Sequence, residues 1–131
     1  MSKVVAPPSV VWKNEPDEHD YPAAGAYLSL IADAKTVADM VGRLREAPIV
    51  TGKAKDLLRA SCLPLLALDN LHVLRDLRKV VSGLKLSPVL LVRGDVRKGH
   101  PMTVADGYHR VCASYHLDEN TDIPARIIDL V

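Results

Sequence analysis

The stretch Val104–His116, VADGYHRVCASYH, decides how the chain is read. An apolar strand ending at Ala105 runs through Asp106-Gly107 into helix-compatible residues, so the first amides of that helix face whatever lies beyond the turn. Gly107 permits a sharp turn or a close backbone approach to a ligand, while His109 and Arg110 in the first helical turn add donors and charge. A phosphate-bearing ligand is the expectation. The same residues also make an ordinary helix start, in which Asp106 accepts a backbone N–H as N-cap and His109 and Arg110 are merely solvated.

Upstream, Pro88 introduces Val89–Arg93, an unbroken apolar run that suits a buried strand, and the polar turn Gly94–Pro101 leads into a strand at Met102–Ala105. Downstream, the loop Asp118–Asp122 precedes a last strand at Ile123–Ile128. Asp69-Asn70 caps a helix that Gly83 ends; on it Leu74, Leu77, Val80, Val81 and Leu84 follow the core period. His72, Arg75, Arg78 and Lys79 gather on the other side of that helix, the most basic face in the chain. It is read either as a solvated face or as a surface for a ligand or nucleic acid. Leu63–Leu68, broken by Pro64, reads as an edge strand.

Toward the N-terminus, Lys53–Ser61 reads as a short helix burying Leu57 and Leu58, behind a turn at Thr51-Gly52. Gly52-Lys53 is not a P-loop, because the glycine five positions earlier is missing and Ala54 stands where Ser or Thr should bind the metal. Asp33–Glu46 carries Val37, Met40, Val41 and Leu44 on one helical face, and Ala26, Tyr27, Leu30 and Ile31 have helical spacing behind Pro22. Residues 1–21 read as an irregular arm, given Pro7, Pro8 and Pro16 and the acidic run Glu15, Asp17, Glu18 and Asp20 around His19. A carboxylate-plus-histidine cluster of this kind is able to bind a metal, but a flexible, charged surface segment without a metal is the expectation there. The order is an arm at 1–21, a helical extension at 22–62, and strands alternating with helices over 63–131. It predicts an α+β fold in which the extension and the last segment form one compact unit.

With 131 residues, 48% hydrophobic side chains and a formal net charge of +1, the chain suits one domain with its own core. Aromatic residues make up only 4% and Phe is absent, so the core must be aliphatic and no row of rings is offered to single-stranded bases. The near-neutral balance gives no global attraction to DNA or to a membrane surface, and no stretch approaches the ~20 apolar residues of a membrane span. Cys62 and Cys112 form no close pair, so neither a disulfide framework nor a cysteine-rich zinc site is expected; a cytoplasmic protein is. Both cysteines are expected to be small packed residues. His109 and His116, about 10 Å apart along one helical stripe, cannot share a metal.

Taken in order, SPVLLVRG, the polar turn, ADGYHRVCA and IPARI resemble the N-terminal domain superfamily shared by ParB partition proteins and sulfiredoxins. The resemblance runs over Leu63–Ile128, roughly half of the chain. It implies a mixed sheet with helices and a nucleotide phosphate bound at the turn, with Gly107, His109 and Arg110 as contacts and Asp106 beside them. It also implies further contacts from the neighbouring helix, where His72, Arg75 and Lys79 stand. Tyr108 occupies the place of the sulfiredoxin nucleophilic cysteine, so sulfinic acid reduction is excluded, although Tyr108 is able to stack on a base. The sequence ends at Val131 directly after the last strand, so centromere-type DNA clamping is not expected. Serine kinases of the superfamily carry a similar turn, which makes Asp106 a candidate metal ligand or base. A carboxylate beside a phosphate needs a cation such as Mg²⁺ between them.

The expected function is therefore a nucleotide-binding domain taking ATP, ADP or CTP with Mg²⁺. The alternatives are a Mg²⁺-dependent phosphotransferase or nucleotide hydrolase, a DNA-binding accessory module, and an interaction domain that binds another chain or a second copy of itself.

Overall fold

In the computed structural model, which describes residues 7–131, the elements follow the order α1 (Asp20–Leu28), α2 (Ala34–Glu46), β1 (Ile49–Lys53), α3 (Ala54–Ser61), α4 (Leu71–Val81), β2 (Val89–Val92), β3 (Thr103–Asp106), α5 (Tyr108–Leu117) and β4 (Asp122–Ile128). The first six residues of the expected arm lie outside the described residues. The strands form one mixed sheet in the order β1-β4-β2-β3, with β2 parallel to β4 and the other two pairings antiparallel. The α+β expectation holds.

β2 explains why the apolar run VLLV is unbroken: all four residues are buried, because helices cover both faces of the sheet. Val89 and Leu91 join the cluster built with Leu57, Leu58, Val73, Val111 and Cys112 from α3, α4 and α5. Leu90 and Val92 turn the other way, onto Tyr21, Ala24, Leu28, Met40 and Leu44 of α1 and α2. The N-terminal helices thus complete one of the two cores. α2 starts on Asp33, whose carboxylate accepts the Thr36 amide at 2.8 Å. At its other end the Arg126 guanidinium of β4 donates to the carbonyls of Arg45 (2.8 Å) and Ala47 (2.6 Å), which have no partner within the helix.

Three local expectations are corrected. The edge strand is not Leu63–Leu68 but β1, and Thr51-Gly52 lies inside it, paired with Pro124 and Ile123 of β4. Residues 63–68 instead run irregularly along α5, held by the Tyr108 hydroxyl on the Pro64 carbonyl and by a 2.7 Å contact between His116 Nε2 and the Leu66 carbonyl. On α4 the buried positions are Val73, Asp76 and Val80; Val81 is 72% exposed and Leu84, beyond the helix, is 57% exposed. The core stripe is thus rotated from the expected one, and a carboxylate falls within it. Cys112 is packed as expected, whereas Cys62 is exposed in a left-handed conformation at the end of α3.

The acidic run near the N-terminus is solvated only in part: Glu15, Glu18 and His19 are exposed as expected, whereas Asp17 is half-buried and Asp20 is buried. Residues 11–13 pair with Leu86, through Leu86 N–H to the Val11 carbonyl (2.9 Å) and Lys13 N–H to the Leu86 carbonyl (2.8 Å). This brings Asp17 and the fully buried Asp20 against the start of α5.

Candidate functional site

Helix α5 begins immediately after Gly107, which sits at φ +108° and provides no side-chain cap. Asp106 is not the N-cap that a helix-start reading gives it: it ends β3, and its carboxylate accepts a hydrogen bond from Arg110 Nη2 at 3.1 Å. A Cβ on Gly107 would lie 2.4 Å from Val89 Cγ1 and 2.9 Å from Arg110 Nη2. Glycine is required here twice over, for its backbone conformation and for the space taken by the strand and the guanidinium.

Arg110 does not extend freely into solvent. Its Nη2 lies 3.5 Å from the Pro88 carbonyl and 3.9 Å from Asp20 Oδ2, and its Nε is buried without a hydrogen-bond partner. Asp20 is fixed in turn by the Ser87 hydroxyl and the Asp17 amide, each donating at 2.9 Å, with His19 Nε2 at 3.4 Å from its other oxygen. One guanidinium therefore stands between the buried carboxylate of Asp20 and the half-buried carboxylate of Asp106, which come from opposite ends of the chain.

These groups line a cavity of about 490 Å³. Of the residues singled out from the sequence, Asp106, Gly107, His109, Arg110, Arg75 and Lys79 reach its wall. Two do not. Tyr108 turns to the Pro64 carbonyl, and His72 lies against His109 with ring centroids 4.6 Å apart. Asp17, His19 and Asp20, read from the sequence as a solvated acidic run, also line the cavity, as do Lys13, Asp76, Lys85 and Ser87, which sequence reasoning missed. For Asp76 the signal is a spacing only: it stands three residues after Val73 and four before Val80, a stripe that the period alone does not favour over the expected one.

Burial dominates the electrostatics of the wall. It pushes the Asp76 carboxyl above the usual carboxylate range, against the opposing pull of Arg110, Lys79 and Arg75. Asp106 is pushed up by burial as well, with Asp20 adding to the shift and Arg110 opposing it. Burial, assisted by His72, lowers His109 and so favours its neutral imidazole. The arrangement combines uncapped helix amides, a neutral imidazole and a cationic rim of Arg75, Lys79 and Lys85 over a floor of carboxylates.

Among the described residues, no helix is long and apolar enough to cross a membrane. No family model, no curated protein and no solved structure matches the chain.

Proposed function

We propose that the chain is a nucleotide-binding domain of the ParB/sulfiredoxin type, taking the phosphate of its ligand in the cavity beside Gly107. The observation that carries this reading is the uncapped start of α5 opening on a cavity whose rim bears Arg75, Lys79 and Lys85. Helix-start amides and a partial positive charge of about half a unit favour an anion at that place. None of those three rim cations makes an ion pair among the described residues, and although Lys79 and Arg75 act on Asp76 through space, all three line the cavity where phosphate oxygens would meet them. Arg110, held by Asp106, then shapes the turn and offsets the floor, and His109 contributes a neutral donor. Mg²⁺ accompanying the nucleotide would separate phosphate from the Asp106 and Asp20 carboxylates. A reducing compartment such as the cytoplasm fits the two free cysteines.

Thermal unfolding with ATP, ADP, CTP and GTP, with and without Mg²⁺, tests the reading. A true ligand at a hundred times its Kd adds about 2.7 kcal/mol of stability. That gain should shrink in the Arg75→Ala/Lys79→Ala double variant. Absence of stabilisation by every nucleotide, in the presence and absence of Mg²⁺, would refute it.

A further inference from the structure

The segment Asp17–Asp20 forms a tight turn, closed by the Asp20 amide donating to the Asp17 carbonyl at 3.0 Å and by the Asp17 amide donating to Asp20 Oδ2 at 2.9 Å. The turn folds three side chains onto one point. One donor atom each from Asp17, His19 and Asp20 lies within 4.8 Å of the others, and His19 Nε2 is 3.4 Å from Asp20 Oδ1. Donors around one ion at ~2.1 Å sit about 3 to 3.6 Å from one another, so small side-chain rotations bring all three into range.

A convergence of acids at a surface is common, and the case here depends on a separate feature of the same cavity. Asp76, on α4, is only 5% exposed, lines the cavity and has no hydrogen-bond or ion-pair partner among the described residues. Asp20 and Asp106 share the half-buried guanidinium of Arg110. The cavity wall thus holds three carboxylates against one fixed guanidinium, with Lys79 and Arg75 acting on Asp76 only through space, and a buried carboxylate without a direct partner is costly unless a positive charge enters. Lys13 Nζ, 2.7 Å from Asp17 Oδ1, shows that this edge of the cavity already draws a cation.

We infer that Asp17, His19 and Asp20 bind a divalent first-row transition cation, Mn²⁺ or Zn²⁺, at the cavity wall. Two carboxylates with one imidazole suit such an ion better than Mg²⁺ or Ca²⁺, which prefer oxygen donors throughout. The ion takes the place of the Lys13 ammonium on Asp17. Asp76 contributes through its charge and not as a ligand. The inference stands apart from the nucleotide reading, since it requires no nucleotide.

The test uses the full chain, freed of metal with a chelator, and Mn²⁺ alone, followed by loss of the free-ion electron paramagnetic resonance signal, with Zn²⁺ and Mg²⁺ followed by calorimetry. Saturable binding of one Mn²⁺ or Zn²⁺ per chain, tighter than Mg²⁺, is expected. The His19 side chain is 80% exposed, so His19→Gln leaves the fold intact, as circular dichroism would verify; it should weaken binding about ten-fold or more. Lys13→Met should tighten binding by removing the competing ammonium, and Asp76→Asn should weaken it by less than His19→Gln does. Absence of saturable binding in the wild type, or an affinity unmoved by both His19→Gln and Asp17→Asn, would overturn the site. Nucleotide stabilisation persisting in those variants would leave the phosphate reading standing without it.

Discussion

Asp106 and Arg110 meet at 3.1 Å across the Gly107 turn, and the same Nη2 nitrogen lies 3.9 Å from Asp20, a residue of α1. The pair thus ties the end of β3 to the start of α5, and through Asp20 it draws in the N-terminal helix as well. Removing the guanidinium leaves buried negative charge without compensation. Arg110→Met should therefore cost about 3 to 5 kcal/mol at neutral pH by denaturant unfolding. Adding Asp106→Asn should return part of that loss, with a coupling above about 0.5 kcal/mol in the double-mutant cycle. Additive effects would show that the pair contributes nothing as a pair.

Gly107→Ala introduces a methyl group that would lie 2.4 Å from Val89 Cγ1, in a backbone conformation that L-residues avoid. Val89 is fully buried and stiff at χ1, so it has little room to yield. A loss of about 2 to 4 kcal/mol is expected, combining overpacking with left-handed strain. Retention of wild-type stability would mean that the turn is looser than the close approach of strand and helix implies.

The Asp76 carboxyl titrates above its unfolded value of about 3.9, because burial opposes its charge. A raised folded value gives stability that is present below the unfolded value and lost as pH rises through the folded one. At neutral pH the ionised group is accordingly a burden on the fold. Asp76→Asn should raise Tm at pH 7, and the gain should diminish toward pH 4. An asparagine variant less stable than wild type at pH 7 would contradict this account.

Arg126 fastens α2 to the sheet through two helix-end carbonyls. Arg126→Met keeps the apolar stem and removes the donors, so a cost of about 1.5 to 3 kcal/mol is expected, as for hydrogen bonds made by a charged group. Hydrogen exchange should show the loss concentrated in the last turn of α2 and in β1–β4. A uniform change across the molecule would point to another cause.

Thiol labelling separates the two cysteines. Cys62 is exposed and should react with an aromatic disulfide reagent in the native state, whereas Cys112 is buried and its thiol is pushed up by that burial. One thiol per chain should react natively and both in denaturant. Equal native reactivity would place Cys112 outside the core.

Period and punctuation made much of the fold legible. Pro88 before VLLV, Asp-Gly before a helix and Asp33 three residues ahead of Thr36 are local signals, and each marks an element whose boundary the chain sets by itself. Where the signal was tertiary, reading failed. Ile49–Lys53 looks like a turn because Thr51-Gly52 punctuates it, yet pairing with β4 satisfies its backbone and makes it the edge strand. On α4, Val80 and the partly buried Leu77 face the core as expected, but the period does not say whether Val81 and Leu84 or Val73 and Asp76 join them, and only packing against α5 selects the latter.

The sequence by itself determined the helix start at Gly107, the chemistry gathered there and the alternation of strands and helices that carries it, because glycine conformation and hydrophobic period act over a few residues. The tertiary structure decided that Asp20 would sit beside Arg110 and that Asp76 would open on the same cavity. It also decided that the arginine would turn inward to the carboxylates. Those outcomes depend on Coulomb forces between groups far apart in the chain, and such forces gain strength only where folding has removed the water between them.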